Sequence, residues 1–231
     1  MKTSRHQGLG VRATSGGWVR ARRPEHKQAR CEAILDAARR LLDSAGVEGT
    51  TLSEIARTAE ISKANCYRYF ESREAILLTV ILDETRAWSS EVNERLRSLA
   101  EPRSLDAAVD IFVTETIERP RLCMLFSSLW SVLERNVSAE SVTEFKRDFL
   151  EISTGSVDSI ATALALSADD AYAFLSFFFY FIAGSWPAAN PSPLVAEVLE
   201  QEEFAGQCVN FESTLRAHTR LTLGGVLANG R

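Results

Sequence analysis

TTLSEIARTAEISKANCYRYFESR, residues Thr50–Arg73, divides into two short amphipathic segments separated by a turn. Thr51 and Glu54 form a T-x-x-E capping box, a start signal for a helix. Leu52, Ile55, Ala56 and Ala59 then recur at i, i+3, i+4 and i+7. That spacing puts one apolar stripe inward and leaves Ser53, Glu54 and Arg57 outside, predicting a helix over about Leu52–Ala59. The stripe stops at Glu60. Ser62 is a good N-cap, so a second helix is predicted over Lys63–Phe70, with Lys63, Asn65, Arg68 and Tyr69 on its outer face. Two short helices joined by a turn of about three to four residues have the spacing of a helix-turn-helix, whose second helix enters the major groove of DNA.

Charge is distributed in a way that suits this reading. The chain has 231 residues and a formal net charge of −5, unhelpful for binding a polyanion as a whole. Residues 1–80, however, hold 14 Lys and Arg against 9 Asp and Glu, while residues 81–231 hold 12 against 22. A basic N-terminal part favours DNA, and an acidic remainder is turned away from it. Cys31, Cys66, Cys123 and Cys208 form no C-x-x-C pair, and the three histidines are scattered. Reduced thiols in a cytoplasmic protein are therefore expected, with no metal site and no cofactor. No secretory signal is visible, and the longest apolar run, Ala171–Ala183, is interrupted by Ser176, so no membrane association is expected.

Working outward, residues 1–26 are rich in Gly, Ser and Arg without apolar periodicity, and read as a disordered tail or as a basic arm reaching phosphates. Ile34, Ala38, Leu41, Leu42 and Ala45 keep helical spacing from about His26, and Gly46 is a natural stop. This helix would cover the apolar stripes of the two short ones. A capped helix of roughly 26 residues, about 39 Å long, follows from Glu71 and Ser72 to Leu96. Everything beyond is predicted helical: Leu105–Glu118, Leu122–Leu133, Ala139 to about Leu166, and an almost wholly apolar segment opened by Ser167 and Asp170 and closed by Pro187. A loop over residues 190–193 and a last helix over about Phe204–Leu227 complete an all-α chain.

Residues 27–75 resemble the DNA-binding domain of the TetR family of bacterial transcriptional regulators. The resemblance rests on TTLSEIA followed by ISKANCYRYFESREAIL, where the family commonly shows S-K-x-x-x-Y-x-Y/H-F-x-S/N-K/R-E-x-L. Glu60 departs from it, since the family often has Gly in the turn. The segment WPAANPSP, Trp186–Pro193, also looks like a subset of such regulators. The resemblance implies an N-terminal three-helix unit (27–75) joined by the long helix to a helical ligand-binding and dimerising domain (76–231). It implies phosphate contacts from Thr51, Tyr67 and Arg73, with Ser62 and Arg68 beside them, and base-edge contacts from Ser53, Lys63, Ala64, Asn65 and Tyr69. Asn and Lys are the residues whose donors and acceptors fit adenine and guanine edges. Cys66 is expected to pack the interior of the unit.

In the second domain Phe112, Thr116, Phe126, Trp130, Tyr172, Phe178 and Trp186 are candidates for lining an aromatic effector pocket, with ordinary core as the alternative. Phe177, Phe181, Phe211 and Leu215 are candidates for a homodimer interface. The function expected is a homodimeric regulator, most simply a repressor, that binds a palindromic double-stranded operator and is released by a small apolar or aromatic effector. Two other classes compete with it. A helical enzyme lacks support, since G-x-S-x-G, H-E-x-x-H and phosphate-loop patterns are missing from the sequence. A helical interaction protein with a basic module would bind heparin-like polyanions as well as duplex DNA.

Overall fold

Helix caps written in the sequence punctuate the whole chain. The computed structural model describes residues 17–100 and 103–229, with side chains described for all of these except 17–25, 205 and 229. Within that range there are ten α-helices and no strand. The first, α1 (Gly17–Gly49), is broken at Gly46, whose φ of 66° is a conformation that glycine adopts without penalty. The expected stop is thus a break with three further residues beyond it. Helix starts at Gly17, so the part of the expected tail over residues 17–26 is helical, while residues 1–16 lie outside the described range.

The two short helices follow as α2 (Leu52–Thr58) and α3 (Lys63–Cys66). Thr51 accepts the Glu54 N–H at 3.2 Å, and Ser62 accepts the Asn65 N–H at 3.1 Å. Only half of the predicted capping box forms, because the Glu54 carboxylate turns to Arg57 instead of reaching back to the cap. α3 is shorter than predicted. After Cys66 the chain continues in turns, with the Tyr69 and Phe70 N–H groups both donating to the Cys66 carbonyl, and Phe70 lies outside the helix. Ile34, Leu35, Ala38 and Leu42 of α1 pack with Leu52, Ile55, Ala56 and Cys66, which closes a three-helix unit.

Ser72 caps α4 (Arg73–Arg97), 25 residues or about 37 Å at the usual helical rise. It packs on α1 and on three later helices, α5 (Leu105–Ile117), α6 (Pro120–Ser128) and α7 (Ala139–Leu164). The aromatic side chains of α8 (Ala168–Ala189) reach it at Trp88. The predicted helix Leu122–Leu133 divides into α6 and a π-helical turn, Leu129–Leu133. The core is aromatic: Trp88 on α4 lies 6.0 Å from Phe112, 5.8 Å from Phe178 and 5.0 Å from Phe179 between ring centroids. Its indole N–H donates to the Thr116 hydroxyl at 3.0 Å, which in turn donates to the Phe112 carbonyl, so the buried polar atoms are satisfied.

α8 is long and apolar enough to cross a membrane by length and composition alone, yet it packs here against α6, α7 and α10 (Phe211–Asn229). It runs through Pro187 to Ala189 rather than ending at that proline, whose missing N–H falls in the last turn and costs a single helical bond. The expected loop at 190–193 is shorter too. Ser192 caps, and Pro193 begins, a helix not anticipated from the sequence, α9 (Pro193–Leu199). The final helix begins at Phe211 rather than Phe204, since residues 202–207 form a 3-10 turn. No residue of α9 is buried, and Leu194, Val195 and Val198 are exposed on it.

Candidate nucleic-acid interface and an aromatic cleft

The turn between α2 and α3 hinges on Glu60, which adopts φ 55°, a left-handed conformation that costs a non-glycine residue roughly 1 kcal/mol. The Ile61 N–H then returns to the Ala56 carbonyl at 3.0 Å, reversing the chain. The position expected to be unusual is therefore the one that carries the strain. The reversal sets α3 across α2, with Cys66 fully buried between them and its thiol pushed up by burial.

Burying Cys66 presents the opposite face of α3 to solvent. Thr51, Ser53, Ser62, Lys63, Ala64, Tyr67 and Arg68 are all exposed, whereas Asn65 and Tyr69 are half-buried. Among the described residues Lys63 and Arg68 make no ion pair, although most nearby arginines do. Arg57 is held by Glu54 at 2.7 Å, and Arg39 by Glu32, Asp36 and Asp83 at 2.6–2.8 Å. Exposed cations without a carboxylate beside a helix N-terminus are what a phosphate backbone needs. Arg73 is differently placed. Its guanidinium donates to the Val47 carbonyl at 2.8 Å and lies 3.5 Å from Glu74, tying the start of α4 to the end of α1. It stands as a clip within the unit, its phosphate role unsupported by this geometry.

Besides the Arg39–Asp83 pair, two polar contacts bind this unit to the rest of the chain. Arg121 on α6 holds both oxygens of Asp43 on α1, at 3.0 and 2.8 Å, and also pairs with Glu84 on α4. On the other side the Glu71 carboxylate accepts the N–H of Ser138, the cap of α7, at 2.8 Å. That backbone N–H, aided by the Ser141 and Ser138 hydroxyls, holds the Glu71 carboxyl below the usual carboxylate range. Both contacts join residues more than 60 positions apart, and no local pattern announces them.

The expected aromatic pocket is in part elsewhere. A cleft of about 300 Å³ opens between the π-helical turn, α7 and α8, walled by Phe126, Trp130, Phe145, Phe149, Tyr172 and Phe179. Lys146, Ser153 and Ser176 supply its non-aromatic polar atoms. Of the seven candidates, Phe126, Trp130 and Tyr172 line it. Phe112, Thr116 and Phe178 do not: they are fully buried around Trp88, as the ordinary-core alternative requires. Trp186 packs edge-on against Phe211 at 4.9 Å, away from the cleft. Tyr172, Ser176 and Tyr180 share an i, i+4, i+8 stripe that the sequence displays, but its neighbours on α8 are aromatic as well.

Among the candidate interface residues Phe177 is 54% exposed on α8, close to Leu221 in kind, which is 76% exposed on α10. Phe181 stacks on His218 at 3.8 Å, and burial lowers the pKa of that imidazole. Leu215 is fully buried within the protomer and offers nothing to a partner, correcting its assignment.

Comparison with known proteins agrees with this architecture. Residues 34–80 match the family described as bacterial regulatory proteins, tetR family, and residues 82–230 match the tetracyclin repressor-like C-terminal domain. An uncharacterised HTH-type transcriptional regulator of Mycobacterium tuberculosis is 39% identical over 85 residues, 37% of this chain and 41% of that protein. The HTH-type transcriptional regulator BetI of Rhizobium meliloti is 33% identical over 95 residues, 38% of this chain and 47% of that protein. The chain spans less than half the length of these curated relatives. Among solved structures, a TetR-family transcriptional regulator from Streptomyces coelicolor superposes with a TM-score of 0.54 at 18% identity, covering 85% of this chain and 99% of that one. Thermus thermophilus FadR, a TetR family transcriptional repressor solved with lauroyl-CoA, gives 0.55 at 17% identity over 84% and 94%. At such identities the structures speak for the fold alone. The C-terminal match by itself covers more than half of the sequence, and with the helix-turn-helix it shows that the chain belongs to the TetR family of bacterial regulatory proteins.

Proposed function

We propose that the protein is a cytoplasmic, ligand-responsive repressor that binds a palindromic operator as a homodimer and has no enzymatic activity. The observation that carries the DNA reading is the outer surface of α3 and of the turn after it, where Lys63 and Arg68 are exposed with no acidic partner among the described residues. On this reading Lys63, Asn65, Ala64, Ser53 and Tyr69 address base edges, and Thr51, Ser62, Tyr67 and Arg68 address phosphates. The paired three-helix units (27–75) sit on a domain (76–231) that dimerises and binds the effector. Phe177 and Leu221, exposed on α8 and α10, are suited to a two-fold helix-on-helix interface.

The aromatic cleft is the effector seat in this proposal, and Phe145 gives it a route to the DNA unit. That side chain lines the cleft and also a second groove walled by Tyr69, Phe70 and Glu71 at the end of the helix-turn-helix. An effector that displaces Phe145 changes both, so effector and operator compete through reciprocal coupling. Selection of bound duplexes from a random pool by the purified full-length chain tests the reading. An inverted repeat with half-site centres about 34–36 Å apart is expected. Failure to enrich any sequence, or binding unaffected by salt, would refute it.

A further inference from the structure

The cleft has one charge in its lining, and that charge is positive. Its walls are aromatic, and no carboxylate is among the residues that line it. Lys146 stands at its edge with Nζ 5.6 Å from the centroid of the Phe145 ring, which is itself a wall. Glu134 lies outside the lining and forms an ion pair with Nζ at 2.5 Å, through one of the three ammonium donors. An ammonium has three donors, so this contact fixes its position and leaves two for something else. Ser153 and Ser176 add neutral hydroxyls. A cationic ligand would meet the ammonium without a compensating carboxylate in the walls. A purely apolar one would leave the remaining donors to water.

We propose that the effector is a small aromatic acid, its ring between the aromatic walls and its carboxylate on Lys146. The proposal rests on the cleft being the effector seat. The size suits it: about 300 Å³ is at the low end of the range for ligand pockets, matching one or two fused rings. The π-helical turn supports it as well, because it delivers Leu129 and Trp130 to the cleft, and such turns occur frequently at functional sites.

The test compares two probes of one shape, 2-naphthoate and its neutral amide naphthalene-2-carboxamide, titrated calorimetrically into the full-length protein at neutral pH. A charged hydrogen bond at the rim of an apolar cleft should favour the acid by at least about fivefold. Lys146→Met, which keeps the apolar stem, should bring the two probes within about twofold, and Lys146→Arg should retain the preference. Trp130→Ala should weaken both probes alike, which places them in the cleft, and a thermal melt of each variant verifies folding. Equal affinity of the two probes for the unaltered protein, or a preference that survives Lys146→Met, overturns the acid while leaving the cleft as the effector seat. Binding of neither probe overturns both.

Discussion

Replacing Lys63 by Ala tests the docking geometry most directly. Lys63 opens α3 but takes no part in its cap, which belongs to Ser62, and it is exposed without an ion pair among the described residues. Its removal should leave the melting curve within about 0.5 kcal/mol of the parent, as exposed substitutions do. DNA affinity should respond far more. A side chain donating to a base edge gives about 1–3 kcal/mol of discrimination, and a homodimer uses it twice, so the best operator should lose about 2–6 kcal/mol. The loss should be confined to operators carrying the preferred base at one position per half-site. Arg68→Ala provides the contrast: with one phosphate left unneutralised by each protomer, the slope of log K against log salt becomes shallower by about 1.8, and every sequence is affected alike. Fluorescence anisotropy on the selected operator and on single-base variants, at several salt concentrations, separates the two patterns. Lys63→Ala binding within twofold of the parent, with an unchanged melt, would refute the placement of α3 in the groove.

Other expectations concern the frame that holds the unit. Arg121→Ala removes the two-pronged contact to Asp43 and the pair with Glu84, and should cost about 1–3 kcal/mol in denaturant unfolding. A double-mutant cycle with Asp43→Ala should return a coupling of at least about 0.5 kcal/mol, and additivity would show the contact to be inert. Glu60→Gly should stabilise by about 0.5–1 kcal/mol, because glycine meets φ 55° without strain, whereas Glu60→Val should destabilise. At Glu115, burial acts to raise the carboxyl pKa, but the Arg95 and Arg119 guanidiniums, each 2.7 Å away, outweigh it and the net shift is downward. A carboxyl depressed in the folded state stabilises fully above its unfolded pKa, and the stabilisation is lost as pH falls through the folded value. Thermal melts across the acid range should therefore decline less steeply for Glu115→Gln than for the parent, and parallel curves would remove Glu115 from the account.

What the sequence reveals well is whatever is settled within about four residues. Thr51, Ser62, Ser72 and Ser167 each cap the helix that follows, since a cap needs only a hydroxyl and the N–H three positions on. The strain at Glu60 is legible for the same reason: a tight reversal between two capped helices leaves one position to carry the positive φ. The errors at helix ends have a common physical source. α3 ends at Cys66 although residues through Phe70 could extend it, and α8 passes Pro187 although proline usually stops a helix. At α3 the propensities that favour extension amount to a few tenths of a kcal/mol per residue and do not decide the outcome, and at α8 the proline falls in the last turn, where it forfeits one helical bond.

The cleft shows where periodicity fails. α8 carries aromatics on every side: Phe174 and Phe178 belong to the cluster around Trp88 and Phe112, Phe179 stacks on Phe126 at 4.4 Å, Tyr172 and Tyr180 border the cleft, and Phe177 faces solvent. A helix that is apolar all round has no preferred direction in its sequence, so nothing in residues 168–189 alone distinguishes a core aromatic from a cleft aromatic. The distinction is made by partners: Trp88 comes from α4, far earlier in the chain, and the wall containing Lys146 comes from α7. The same reasoning separates Arg73 from Lys63. Both are basic residues near helix starts in the family pattern, but the break at Gly46 brings the Val47 carbonyl within reach of Arg73, and no comparable acceptor reaches Lys63 among the described residues. The Arg73 guanidinium is anchored at the Val47 carbonyl and beside Glu74, whereas the Lys63 ammonium is left in solvent on α3.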